Sequence, residues 1–250
     1  MRIRVGHLYP EYLNIYADRG NIAVLSRRAA RRGYELDLEP IGVADMLRPG
    51  AYDLLYVGGG QDREQALIAP DLATKGEAIR EAVAGGAALL AVCGGYQLLG
   101  RGYRGRDGAL MPGACLFGHE TVAGTTRMIG DVLLECELEP GHRRPVAGFE
   151  NHAGRTVLDA EAQPLGRVVH GYGNDGVSGY EGCRLGRAIG TYLHGPLLPR
   201  NPWLADWLLA QALAHATDAD PPELEPLRDE LEAEAFRVSA ERAKARGGRR

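Results

Sequence analysis

The sequence predicts an α/β protein built on an open, mostly parallel sheet with helices on both faces. Three observations carry that expectation. Strand-like and helix-like segments alternate through the first hundred residues. The segments YDLLYVGGG and AALLAVC are near-continuous apolar runs, the pattern of strands covered on both faces. Both end in a glycine-flanked corner, where a parallel sheet collects its ligands at the carboxyl ends of its strands.

Taken in order, IRVGHLY reads as the first strand and IYADRGNIAVLSRRAARRGY as a loop leading into a helix whose arginines face water. YELDLEPI is a second strand and YDLLYVGGG a third, followed by a polar turn and a helix over 75–84, KGEAIREAVA. Next come AALLAVC and a helix that opens at Gly94. From about residue 110 the candidates become shorter strands between Gly-rich turns: TVAGTTRMIGDVLLECEL, RPVAGFENHAGRTVL and RAIGTYLHG. WLADWLLAQALAHA is an amphipathic helix. Residues 1–215 form one domain on this reading. Residues 216–250, of mixed charge and with few large apolar side chains, form a tail: a peripheral helix fraying into a disordered basic tip. There is no internal repeat.

Composition narrows the class. A chain of 250 residues that is 45% hydrophobic buries a full core without disulfides. A formal charge of −4 gives no basic field of the kind a nucleic-acid binder needs. MRIRVGHLYPEYLNIY holds no uninterrupted apolar run with a cleavage site, and no later stretch reaches bilayer-spanning length, so a cytoplasmic protein is expected. Cys93, Cys115, Cys136 and Cys183 lie 22, 21 and 47 residues apart with no CxxC pair, which reads as separate thiols in a reducing compartment and no metal site.

Of the four, Cys93 stands apart. In LLAVCGGYQLLG it leaves a strand and opens a helix in one turn, a corner that small neighbours make possible and that strains the residue at its apex. A thiol there faces unpaired helix N–H groups that favour thiolate and bind an oxyanion. A small buried hydrophobe is the plainer reading of any free cysteine, and the glycines on either side weigh against it. Such a nucleophile needs a base, and the histidines are His7, His119, His142, His152, His170, His194 and His215. His194, in TYLHGP, also stands just past a short apolar strand, so a strand-end cysteine and a strand-end histidine occur in one chain.

LLAVCGGYQLLG and YLHGP together resemble class I, triad-type glutamine amidotransferases of the cobyric acid synthase branch, a flavodoxin-like fold. LNIYADRGNIAVL, YVGGGQDREQ, GFENHAGRT and GYGNDGVSGYEGCRLGRAIGTYLHGPLLPRNPWLADWLL are similar to the glutaminase-subunit family of lipid II isoglutaminyl synthase, known as GatD, over residues 1–215. The resemblance implies that Cys93 attacks the side-chain amide of glutamine and that His194 shuttles the proton. It also implies that N–H groups of Gly94 and of the Gly59–Gly60 corner hold the oxyanion. Arg127 would clamp the α-carboxylate, a task suited to its planar fork. Gln97, one turn after Cys93, either touches the substrate amide or packs within its helix.

The chain departs from the wider superfamily at Pro196, where an acidic residue usually follows the histidine by two positions. The resemblance implies a Mur-ligase-like partner subunit that supplies the missing acid. Asp18 and Glu150 are the alternatives within the chain. No GxxxxGK[ST] loop is present, so no cofactor is expected in this chain, and ATP and Mg are expected on the partner. The partner would use ammonia to convert D-glutamate of lipid II to D-isoglutamine at the inner face of the membrane. A glutaminase for another synthetase, of the cobyrinate-amidating type, a free-standing Cys–His hydrolase, and a non-catalytic scaffold of the same fold stay open.

Overall fold

A computed structural model describes residues 1–15 and 19–246. Its main sheet has six strands in the order β11-β12-β4-β3-β1-β2. These are β1 (Arg2–Leu8), β2 (Glu35–Ile41), β3 (Leu54–Val57), β4 (Ala88–Val92), β11 (Cys183–Leu185) and β12 (Ala188–Thr191). All neighbours are parallel except β11 against β12. Every residue of β3, β4 and β12 is buried, as continuous apolar strands require.

Helices α1 (Arg19–Ala30), α2 (Asp62–Thr74), α3 (Gly76–Ala84), α4 (Gly94–Leu98) and α5 (Pro202–Thr217) belong to this half of the molecule. The segment read as a polar turn is α2, a thirteen-residue helix with Pro70 inside it. A proline there removes one helical N–H and crowds the preceding turn, at a cost of about 3 kcal/mol. Burial of Gln65, Ile68, Ala69 and Leu72 on one face offsets it. Nor do all the arginines of α1 face water: Arg28 is buried, with Nε donating to Asp206 (2.7 Å) and Nη1 to Asp229 (2.6 Å).

The second half is not a set of short strands. β7 (His119–Glu139) and β8 (His142–Leu158) form a long antiparallel hairpin. The sheet is completed by β5 (Gly102–Arg104), β6 (Leu110–Pro112), β9 (Gly166–His170) and β10 (Tyr180–Glu181). Ala123 pairs with Gly154 and Met128 with His152, so the four residues 124–127 stand opposite Ala153 alone. This irregularity pushes Arg127 out of the ladder.

The tail is structured as α6 (Glu230–Arg246). Phe236, Ala240 and Ala243 pack on Leu133 and Ala147 of the hairpin, while Asp229 at its start is held by Arg28. The basic tip, 247–250, lies outside the described residues.

Candidate functional site

Two corners at the carboxyl edge of the main sheet meet. Cys93 connects β4 to α4 with φ 49° and ψ −107°, a backbone conformation that side-chain-bearing residues rarely adopt. The glycines beside it have no room for anything larger. A Cβ on Gly95 would lie 2.7 Å from both Gly58 O and Val57 Cγ1, and one on Gly94 would lie 2.9 Å from Gly60 N. The VGGG and CGG corners therefore abut, which puts the Gly59–Gly60 backbone beside the start of α4. Gln65 locks the first corner by donating from Nε2 to Gly60 O (3.1 Å).

His194 comes from the neighbouring strand end. β12 runs parallel to β4 with Thr191 opposite Val92, and the Cys93 N–H donates to Thr191 O at 2.8 Å. Three residues on, His194 is bridged to β8: its N–H donates to Phe149 O (2.8 Å) and its carbonyl O accepts from Phe149 N–H (3.3 Å). Its ring is fully buried. Burial, with the positive fields of His152 and Arg127, pushes the imidazole down to about 3, so it is neutral near pH 7. A neutral imidazole is the form that accepts a proton.

A cleft of about 650 Å³ opens over these corners, lined among others by Gly60, Cys93, Gln97, Arg127, Asn151 and His152. Cys93 is 5% exposed at its floor. Arg127 is fixed at its rim, donating from Nε to Asn151 Oδ1 and from Nη2 to Asn151 O, each at 2.9 Å. Gln97 is buried and donates from Nε2 to Tyr192 OH (3.2 Å) while lining the cleft, so its packing role is evident and its side chain stands at the site as well.

A polar cluster that the sequence reading did not single out runs inward from the cleft wall at His152. The His152 ring stacks on Tyr192 with centroids 3.5 Å apart, and Tyr192 OH pairs with Thr156 at 2.6 Å. Glu181, wholly buried, accepts from Tyr192 N–H (2.6 Å) and from Thr191 Oγ1 (3.1 and 3.0 Å). Burial, with a contribution from Glu150, raises its carboxyl to about 8. Glu181 and Thr191 thus brace the strand end that leads to His194. The period of two along GFENH was the available signal, since Glu150 and His152 share one face of a strand.

Of the acids weighed for a third role, Asp18 lies outside the described residues. Glu150 is buried; its carboxylate accepts from Tyr172 N–H (2.7 Å) and Gly173 N–H (3.0 Å) and stands 3.7 Å from His152 Nε2. Pro196 packs where a Cβ on Gly20 would be, with its Cγ 2.6 Å from that point, so the position is used to seat the histidine loop on α1. Cys136 and Cys183 are buried and raised to about 12 by desolvation, and Cys115 is exposed away from the cleft. Among the described residues no group of three or more His, Cys, Asp or Glu is arranged to hold a metal ion.

A family model described as a CobB/CobQ-like glutamine amidotransferase domain matches residues 4–202. The chain belongs to this family. Within it, the chain is 38% identical over 213 residues to the lipid II isoglutaminyl synthase (glutamine-hydrolyzing) subunit GatD of Streptococcus pneumoniae, covering 85% of this chain and 81% of that relative. GatD of Staphylococcus aureus is 35% identical over 241 residues, 96% of each chain, a span that takes in most of the tail beyond residue 215. A glutamine amidotransferase of Thermotoga maritima superposes with a TM-score of 0.53 over 95% of this chain and 93% of that one; at 18% identity the likeness is one of fold.

Proposed function

We propose that this chain is the glutaminase subunit of a two-subunit lipid II isoglutaminyl synthase. The observation that carries the reading is the strained Cys93 corner at the floor of a cleft, one strand over from the strand end that bears His194, in a chain related to GatD along nearly its whole length. Cys93 Sγ attacks the side-chain amide carbon of L-glutamine as His194 takes the thiol proton. The oxyanion is met by the Gly94 and Gly59–Gly60 backbone. The proton passes to the leaving nitrogen, ammonia departs, and water cleaves the thioester to release glutamate. Arg127 holds the α-carboxylate, and Gln97 borders the amide.

Ammonia is lost to water unless it is consumed nearby, so the reading requires a docked synthetase. That partner is Mur-ligase-like, carries ATP and Mg, and amidates the D-glutamate α-carboxylate of lipid II. It also supplies the acid that orients His194 where this chain has Pro196. The work takes place in the cytoplasm at the inner face of the membrane, reached through the lipid-linked substrate; no helix among the described residues is long and apolar enough to cross a membrane.

The test is ammonia release from glutamine by the chain alone and with the co-expressed synthetase subunit. The partner is expected to raise kcat by about 100-fold or more with a smaller change in KM, since removing an orienting acid costs a triad several orders of magnitude. Full activity in the isolated chain would remove the shared site, and no glutamine hydrolysis in the complex would remove the glutaminase reading.

A further inference from the structure

We infer that Arg200 is a positioning residue for His194, held in place by the C-terminal helix through Ser239. The inference rests on the glutaminase reading only for what His194 does. The contacts are independent of it.

The chain turns sharply at Gly195, immediately after the histidine, with φ +89°. Arg200, at the end of the 3₁₀ turn Leu198–Arg200, reaches back and donates from Nη2 to Gly195 O at 2.5 Å. Its other arm donates from Nη1 to Ser239 Oγ at 3.2 Å. One planar fork thus joins the turn beside His194 to the middle of α6. Ser239 is buried, and α6 is fastened by Phe236, Ala240 and Ala243 on the hairpin.

The base of the turn is fixed independently. Asn201 donates from Nδ2 to Ala147 O and Leu197 O (2.7 Å each) and accepts from Ala147 N–H (2.9 Å), while Leu198 N–H donates to Asn21 Oδ1 (2.9 Å). The scaffold therefore stands without Arg200, and what Arg200 adds is the tie to the Gly195 carbonyl.

That tie is costly. Burial lowers the Arg200 pKa, and Arg242 on α6 adds repulsion that Asp131 counters. A cation kept in such a place is poor stabilisation compared with an apolar side chain, which leaves geometry as its use. His194 is braced by the Phe149 backbone on one side, and Gly195 is the atom group next to it on the other. With a proline at the usual acid position, the backbone around His194 carries more of the ring's orientation.

The experiment uses the full chain assembled with its synthetase subunit and compares Arg200→Met, Arg200→Lys and Ser239→Ala. Arg200→Met is expected to lower kcat about 10- to 100-fold with KM within about twofold, because misplacing a base acts on the transition state and not on glutamine binding. Arg200→Lys recovers part of the loss through the single contact to Gly195 O, and Ser239→Ala gives a kcat loss of about 3- to 10-fold at unchanged KM. In histidine-labelled isolated chain, the ring resonances of His194 shift in Arg200→Met while those of His7 and His215 stay put, a readout that needs no turnover. Should Arg200→Met fail to fold, Ser239→Ala and Arg200→Lys carry the test. Unchanged kcat in both soluble variants, or unmoved His194 resonances, overturns the inference. Absence of glutamine hydrolysis in the wild-type complex would instead strike the glutaminase reading, with the resonance experiment still deciding the role of Arg200.

Discussion

The corner that carries Cys93 and the corner that carries His194 end neighbouring strands, yet they are built in opposite ways. The first is local. Its geometry comes from the residues that flank it, three glycines on one strand end and two on the next, packed so closely that backbone excludes side chains. The second is assembled from a distance. His194 is set by Phe149 from β8, by Glu181 and Thr191 beneath it, by Pro196 seated on Gly20, and by Arg200 tied to α6. On the proposed reading, a nucleophile at a strained elbow is poised by its own neighbours, whereas a base that lacks an acid close in sequence depends on the whole fold around it.

That contrast is sharpest at Gly95. Adding one methyl there brings Cβ to 2.7 Å from Gly58 O, and the backbone must move. Gly95→Ala is expected to lower glutamine turnover by about 100-fold or more, since displacement of a reacting group by about 1 Å has that scale of effect. Steady-state kinetics on the folded variant checks it, and a loss of less than about tenfold would show that the elbow tolerates the shift.

Arg127 tests the cleft wall above Cys93. Arg127→Lys keeps the charge and loses the fork that spans Asn151. KM for glutamine should rise about tenfold with kcat within about threefold. An unchanged KM would make Arg127 a brace for Asn151 only.

The smallest effect on turnover is expected from Glu181→Gln, which preserves an acceptor for Tyr192 N–H and Thr191 Oγ1. Its effect is on stability. The carboxyl is raised from 4.5 to about 8 in the folded chain, so its contribution is fully present below pH 4.5. It is lost as pH rises towards 8, because the unfolded chain releases the proton first. Denaturant titrations should therefore find the variant gaining on the wild type between pH 5 and pH 8. Taking the difference cancels the opposite trend from His194, whose depressed pKa costs stability as pH falls below 6.5. Parallel curves would mean that Glu181 is ionised in the folded protein.

How much of this was legible in the sequence follows the same division. The parallel sheet, the glycine corners and the elbow position of Cys93 rest on short-range pattern, and all three are present in the fold. Helix α2 was hidden by Pro70 and a polar first turn, because the burial that offsets the proline involves other elements. The buried Arg28 finds its carboxylates at Asp206 and Asp229, and no local rule pairs residues so far apart. For the same reason periodicity along GFENH marks the His152 face but cannot join Tyr192 and Glu181 to it, and it says nothing of the role of α6. The irregularity that aims Arg127 depends on how two strands pair, which composition does not reveal.

Cys93 bears the central claim, and the thiols themselves allow a direct measurement. A glutamine-mimicking electrophile is applied to the assembled enzyme, and the adduct is located by peptide mass spectrometry. Cys136 and Cys183 are buried with raised pKa values, so the real contest is between Cys93 at the floor of the cleft and the exposed Cys115. The account predicts stoichiometric labelling of Cys93, protection by glutamine, and no adduct in Cys93→Ala. Labelling of Cys115 with Cys93 untouched would contradict it.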